Sequence, residues 1–229
     1  RALGVGFDGT TYRHRYLVLS ILGDLEDLIP GICEINYVAD PYEHLLLLRV
    51  PDVWRVVLAV DPTVSDADAV GDTYVDERLR LLVDDRDALQ VVERRVYKVH
   101  QRVAERFRVG RTLLVGDAAH INSPMGGMGL NSGIHDAFDL AATFGDVFAG
   151  EADTVLDDWA ARRRRVAVEE IQRITHEHTT SLASESDSVR DQYLSSVSKI
   201  AGDRDAAYEW MLAASMIDNV RRHGLPGEI

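Results

Sequence analysis

The residues best suited to hold a small molecule stand together between positions 110 and 133. Thr112-Leu113-Leu114-Val115 is a short apolar run ending in Gly116-Asp117, and a loop follows through Pro124, Met125, Gly126, Gly127, Met128 and Gly129. A carboxylate at the end of a strand can accept hydrogen bonds from ligand hydroxyls, and glycines let the backbone approach a flat ligand closely. A helix opening near Gly129-Leu130-Asn131 would aim free N–H groups at any negative charge held there.

Other stretches spell chemistry without the context it needs. Gly4-Val5-Gly6-Phe7-Asp8-Gly9 reads G-x-G-x-x-G, with Glu26 placed as if to hold a ribose. A dinucleotide fingerprint needs a strand before its glycines and a helix after them. Here three residues precede Gly4, and Tyr12, His14, Tyr16 and Val18 alternate after Gly9 as in a strand. The motif reads as a glycine-rich turn. Ser132, His135 and Asp136 are neighbours in one helix and cannot form a nucleophile relay, and no G-x-S-x-G elbow accompanies them. His176 and His178, two apart on a helix, point different ways and make no metal site. His120 reads as a packed, hydrogen-bonded histidine, and Arg162–Arg165 as a solvated face or a set of local ion pairs.

The elements that must position the 110–133 segment are legible from spacing. The first part is strand-rich: Ile32–Val38, His44–Val50 and Val53–Val60 are separated by turns too short for parallel crossovers, so antiparallel neighbours follow. Asp72–Val83 has helical spacing and Gln90–Val99 returns to strand. After the glycine loop, Leu130, Ile134, Ala137, Phe138, Ala141, Gly145 and Phe148 form an apolar helical stripe with Gly150 as its stop. Asp153-Thr154 could cap a helix carrying Leu156, Trp159, Ala160, Val166, Ala167, Ile171 and Ile174, and further helices are expected near 188–200 and 205–222.

Composition narrows the classes. With 229 residues the chain can bury a real core, and a net charge of −13 argues against nucleic acid or an anionic membrane as partner. Cys33 is the only cysteine, which excludes an intrachain disulfide and a cysteine-rich zinc site. It is expected to be a small buried hydrophobe in a reducing cytoplasm. No apolar run approaches the ~18 residues needed to span a bilayer.

The run Gly110-Arg111, Leu113, Gly116-Asp117-Ala118-Ala119-His120, Pro124, Gly126, Gly129-Leu130-Asn131-Ser132-Gly133, Asp136 and Leu140 resembles the second FAD motif of the group A flavin-dependent aromatic hydroxylases, the p-hydroxybenzoate hydroxylase type. Val96–Phe107 looks like the segment before that motif in the hydroxyphenylpropionate and polyketide hydroxylase branch. The resemblance implies an α/β (α+β) fold: an antiparallel substrate-binding sheet, the C-terminal part of an FAD-binding Rossmann-like domain, and C-terminal helices. The expected divisions are a remnant of the FAD domain at 1–10, the substrate sheet at 11–108, the second FAD motif and its helices at 109–180, and terminal helices at 181–229. The family's opening strand, true fingerprint and middle Asp-Gly motif are absent, so the chain is expected to be the C-terminal part of a longer hydroxylase.

Roles follow by position from the resemblance. Gly116 and Asp117 would hold FAD at its ribityl chain. Pro124, Met125 and Gly126 would stand at the reacting centre, and Gly127, Met128, Gly129, Leu130 and Asn131 would complete the cofactor contacts, with the N–H groups of Gly129, Leu130 and Asn131 facing the N1–C2=O2 edge. Met128 replaces a polar residue of many relatives, and Val166 a proline. The family chemistry is reduction of FAD by NAD(P)H, addition of O2 at C4a, and transfer of OH from the hydroperoxide to a phenolic ring. Asn36, Tyr37, His44, Trp54 and Tyr97, on the presumed sheet, are the substrate candidates, and a homodimer is left open. Two other readings stand beside hydroxylation: another flavoprotein on this scaffold, such as a halogenase or reductase, and a non-catalytic remnant or binding module.

Overall fold

The computed structural model describes residues 2–38, 45–182, 184 and 186–223. The chain divides into two compact units, Tyr12–Val99 with Leu182–Arg190, and Arg1–Thr11 with His100–Ser181 and Asp191–Ile229.

The first unit is an antiparallel sheet with helices on one face. Its elements are β1 (Phe7–Leu22), a short α1 (Leu25–Leu28), β2 (Ile35–Val38), β3 (Leu45–Val50), β4 (Val53–Val60), α2 (Asp66–Ala69), α3 (Asp72–Leu82) and β5 (Gln90–Ala104). The strand order is β2-β3-β4-β1-β5, as short turns between alternating segments require. Register decides which side chains share a face. Leu47, Val56 and Leu19 lie opposite one another, as do Trp54 and Ile21, and this face forms the core beneath Ala69, Val75 and Leu79 of α2 and α3. The other face carries Tyr37, Leu46, Val57 and Val18 in register, with Tyr16 two residues before Val18.

The second unit holds the chemistry-bearing segment. Its elements are the two-residue strands β6 (Arg108–Val109), β7 (Thr112–Leu113) and β8 (His120–Ile121), then α4 (Met128–Phe148) and α5 (Val155–Arg165). A π-helical stretch, Val166–Gln172, leads without a break into α6 (Arg173–Leu182); α7 (Asp187–Gly202), α8 (Arg204–Ala214) and α9 (Ile217–His223) follow. The expected helix at 205–222 is thus two helices, broken at Met216, a non-glycine residue at φ 63°. Val166, fully buried with Met128, Ile171 and Met216, opens the π stretch.

The opening G-x-G-x-x-G runs into β1, and no helix follows it. Gly9 is needed there for a close crossing: a β-carbon on it would stand 1.9 Å from the Gln101 carbonyl oxygen. Glu26, the would-be ribose ligand, instead accepts the Trp54 indole N–H at 3.3 Å.

Helix α4 turns its expected stripe outward. Its buried residues include Ser132, Asp136, Asp139 and Thr143, whereas Leu130, Ile134, Phe138 and Phe148 are exposed. The polar face can be buried because α5 supplies cations to it. Arg162 grips Asp139 through two bonds of 3.1 and 2.8 Å, and Arg163 reaches Asp136 at 2.7 Å. Arg164 donates to the Ala104 carbonyl at 3.1 Å. Of the two expectations for the arginine run, ion pairing holds for Arg162 and Arg163, with carboxylates buried on α4, while Arg164 is exposed and Arg163 is the one that is fully buried. Phe138→Ser is expected to change unfolding free energy by no more than about 0.5 kcal/mol and to reduce binding of an apolar dye. A loss of several kcal/mol in urea unfolding would show that the stripe is a core face after all.

Cys33 is exposed, not buried as its residue type suggested. It sits in the turn before β2, where its N–H donates to Asn36 Oδ1 at 2.8 Å and its carbonyl accepts from Asn36 Nδ2 at 2.5 Å.

Candidate functional site

The expected strand before Gly116-Asp117 is shorter than its apolar run. Ladder pairing with β6 ends at Leu113, and Leu114 adds one bond, its N–H to the Phe107 carbonyl at 2.8 Å. Gly116 then takes φ +57° and starts a tight turn, Gly116–Ala118. The turn lies against α4 backbone to backbone: a β-carbon on Gly133 would come 3.2 Å from Gly116 Cα. Gly133→Ala therefore sets about 1–3 kcal/mol of overpacking against about 1 kcal/mol of gained helix propensity. The expected result is a lower urea midpoint. A higher midpoint would mean that the two backbones are free to separate.

A cleft of 440 Å³ opens where these backbones meet, lined by Val115, Gly116, Asp117, Gly129, Leu130, Gly133, Ile134 and Ala137. Asp117 is exposed on its wall and has no hydrogen-bond partner among the described residues. A carboxylate that only capped its own turn would accept from the neighbouring backbone; this one does not. Gly127, at φ 67°, precedes α4, and no side chain caps the helix. Because the helix opens at Met128, one residue earlier than expected, its unpaired N–H groups are those of Met128, Gly129 and Leu130. The Gly127 N–H is already donated to the Pro124 carbonyl at 3.0 Å, and the Asn131 side-chain amide turns back to the Gly127 carbonyl at 3.0 Å.

The turn is fixed by a buried carboxylate that spacing did not reveal. Asp136, fully buried on α4, accepts from the Gly116 N–H at 3.2 Å, from His120 Nε2 at 3.0 Å and from Arg163 Nε at 2.7 Å. Since an ionised carboxylate only accepts, His120 carries its proton on Nε2. Burial raises the Asp136 pKa, but the His120 hydrogen bond and the Arg163 charge outweigh it and hold the carboxyl below the ordinary range. His120 also stacks on Phe107, with ring centroids 6.0 Å apart. It is a structural histidine, as its setting in the sequence suggested.

The remaining candidates separate by environment. Met125 and Met128 are buried, and Met128 packs with Val166, Ile171 and Met216, so it offers a ligand only its backbone. Trp54 is fully buried on the helix-covered face of the sheet, with Arg49 over its ring at 5.6 Å. Asn36 lies on that same face in register and is committed to the Cys33 turn. Tyr37 and Tyr97 fall on the opposite face. Tyr37 is partly exposed, while Tyr97 lies 5.9 Å from Tyr16 with its phenol pushed up to about 12 by burial. His44 lies outside the described residues. Among the described residues no group of three or more His, Cys, Asp or Glu could hold a metal ion, and no helix is long and apolar enough to cross a membrane.

Residues 45–174 match the family described as FAD binding domain. The chain is 35% identical over 173 residues to para-nitrophenol 4-monooxygenase of Pseudomonas sp., covering 73% of this chain and 42% of that protein. It is 38% identical over 167 residues to 3-(3-hydroxy-phenyl)propionate/3-hydroxycinnamic acid hydroxylase of Mycolicibacterium smegmatis, covering 72% and 29%. Among solved structures it superposes on p-nitrophenol 4-monooxygenase PnpA of Pseudomonas putida with a TM-score of 0.85 at 30% identity, over 93% of this chain and 56% of that one. A ternary complex of aklavinone-11 hydroxylase with FAD and aklavinone gives 0.70 at 27% identity, over 78% and 34%. The chain thus spans less than half the length of these two curated relatives.

Proposed function

Because this chain belongs to the FAD-binding-domain family, we propose that it forms the substrate sheet and second FAD motif of an aromatic monooxygenase, one that hydroxylates a phenolic substrate with NAD(P)H and O2. One observation carries the reading: an unpartnered carboxylate, a backbone-to-backbone glycine contact and the uncapped start of a 21-residue helix line a single cleft. The residues fit the group. Asp117 suits hydroxyls of a ribityl chain, the bare glycine wall suits a flat ring, and the N–H groups suit a polar edge that gains negative charge.

When bound, FAD supplies the redox chemistry, accepting electrons from NAD(P)H and delivering one oxygen atom of O2 to the ring. The chain's own residues bind and orient. Asp117 fixes the cofactor by accepting hydrogen bonds, while the Gly116 N–H stays engaged with Asp136 and holds the turn. The N–H groups of Met128, Gly129 and Leu130 act as preorganised donors, each worth about 3 kcal/mol where water is excluded. Pro124, Met125 and Gly126 form the adjoining loop. On the sheet, Tyr37 and Tyr97 are the described candidates kept for the substrate, since Trp54 and Asn36 serve the fold, and His44 stays a candidate outside the described residues. The lone cysteine supports a reducing cytoplasm as the working compartment.

The test is NAD(P)H consumption by the FAD-loaded protein with a series of phenols under labelled oxygen. Faster consumption with one of them, and one labelled oxygen atom in its product, is the expected result. A yellow protein whose NAD(P)H oxidation no phenol accelerates would count against hydroxylation.

A further inference from the structure

Helix α6 braces the loop that carries Pro124 and the paired glycines. The Thr179 hydroxyl donates to the Thr175 carbonyl at 2.6 Å, so its oxygen accepts from Ser123 Oγ at 2.6 Å, and Ser123 Oγ in turn accepts the Met125 N–H at 3.3 Å, both residues being buried. The π-helical stretch before α6 rotates the face that follows it relative to a plain α continuation. Beside Thr179, His178 Nδ1 stands 3.2 Å from where a β-carbon on Gly126 would sit, and Gly126 holds φ +96°. The imidazole thus occupies the space that any side chain at 126 would need. Tyr193 of α7 meets the His178 ring edge-on, with centroids 6.5 Å apart at 67°.

We propose that His178 is a positioning residue for this loop: its neutral imidazole, seated between Gly126 and Tyr193, holds Ser123–Gly127 in place, and its protonation loosens that segment. The proposal rests on reading the loop as one wall of the flavin site, but the brace is made by this chain's own residues. Burial pushes the His178 pKa below that of an ordinary histidine, against the charge of Glu177, which raises it. Glu177 on the same helix is the charged group acting on the ring, and Tyr193 is its titratable neighbour from α7. Residues 122–127 contribute no titratable side chain. A depressed histidine pKa means that the fold favours the neutral ring. The brace is complete above the ordinary histidine range and weakens as pH falls through it toward the depressed value.

The experiment follows amide hydrogen exchange at Gly126 and Gly127 from pH 7.5 downward, with the His178 ring titration read by NMR on the same sample. Wild type should lose protection at these two amides as pH falls from the ordinary histidine range to the midpoint of the His178 ring titration and level off below it, while amides in β4 stay protected. His178→Gln, uncharged at every pH, should show no such step. His178→Ala should exchange about fivefold faster already at neutral pH, the effect of losing one interaction of hydrogen-bond size. Protection that ignores the His178 titration in wild type, or an unchanged pH step in His178→Gln, would overturn the proposal. The measurement needs no flavin. A repeat with added FAD separates the two ideas: no response to FAD counts against the flavin reading alone, and an absent pH step counts against His178 alone.

Discussion

Asp136→Ala is expected to cost about 3–5 kcal/mol of folding stability, the usual penalty for breaking a buried ion pair from one side. The substitution strands Arg163 in the interior without its carboxylate and leaves the His120 and Gly116 N–H groups without an acceptor. Against the roughly 5–15 kcal/mol by which folded domains are typically stable, that is a large share. Asp136→Ala combined with Arg163→Met should recover part of the loss, because no unpaired charge then remains inside. The network also sets an acid dependence. The folded-state pKa of Asp136 is depressed, so its contribution is complete above the ordinary carboxylate value of about 4 and disappears as pH falls through the lower folded value. Urea unfolding of wild type and Asp136→Asn between pH 2 and 6 measures this directly. Equal acid sensitivity in both proteins would show that the network carries none of it.

Asp117→Ala should do the reverse. Its side chain is exposed and touches no described partner, so stability is expected to move by less than about 0.5 kcal/mol. Flavin affinity should fall about tenfold to a hundredfold, the loss of one or two hydrogen bonds to a charged acceptor. Fluorescence quenching of FAD reports the affinity, and the urea midpoint reports the fold. If Asp117→Ala binds flavin as wild type does, the carboxylate is not a ligand.

These two aspartates show where the sequence was informative. Asp117 stood out because a strand end, a Gly-Asp step and a glycine loop are local features, and local features survive in linear order. Asp136 belongs to the same motif resemblance, but nothing in the linear order gives it a role. Its partners Gly116, His120 and Arg163 come from three other elements, and no spacing rule links them. A four-arginine run facing a helix with two acids three apart was the available clue; exposure statistics for arginine pointed the other way.

The same division runs through the fold. Alternation and short turns sufficed for the antiparallel sheet, and periodicity for α3, α4 and α5. The π-helical stretch was invisible because it keeps the apolar spacing while changing the hydrogen-bond step. Alternation also showed that only half of the sheet candidates could share a face, but not which half. That needed the register, which sets Tyr37 opposite Leu46, and Asn36 opposite Leu47 over the core. The opening glycines follow their context: the alternation after Gly9 implies a strand, and β1 begins at Phe7, inside the motif, where no phosphate cradle can form.

The central claim is that the cleft beside Gly116 and the start of α4 is a flavin site. An NMR titration of the isotopically labelled chain with FAD, run to millimolar concentration so that weak binding registers, tests it most directly. The account predicts shift changes concentrated at the amides of Gly116, Asp117, Met128, Gly129 and Leu130, and their loss in Asp117→Ala. Amides that stay unmoved at these positions, or changes centred elsewhere in the chain, would contradict it.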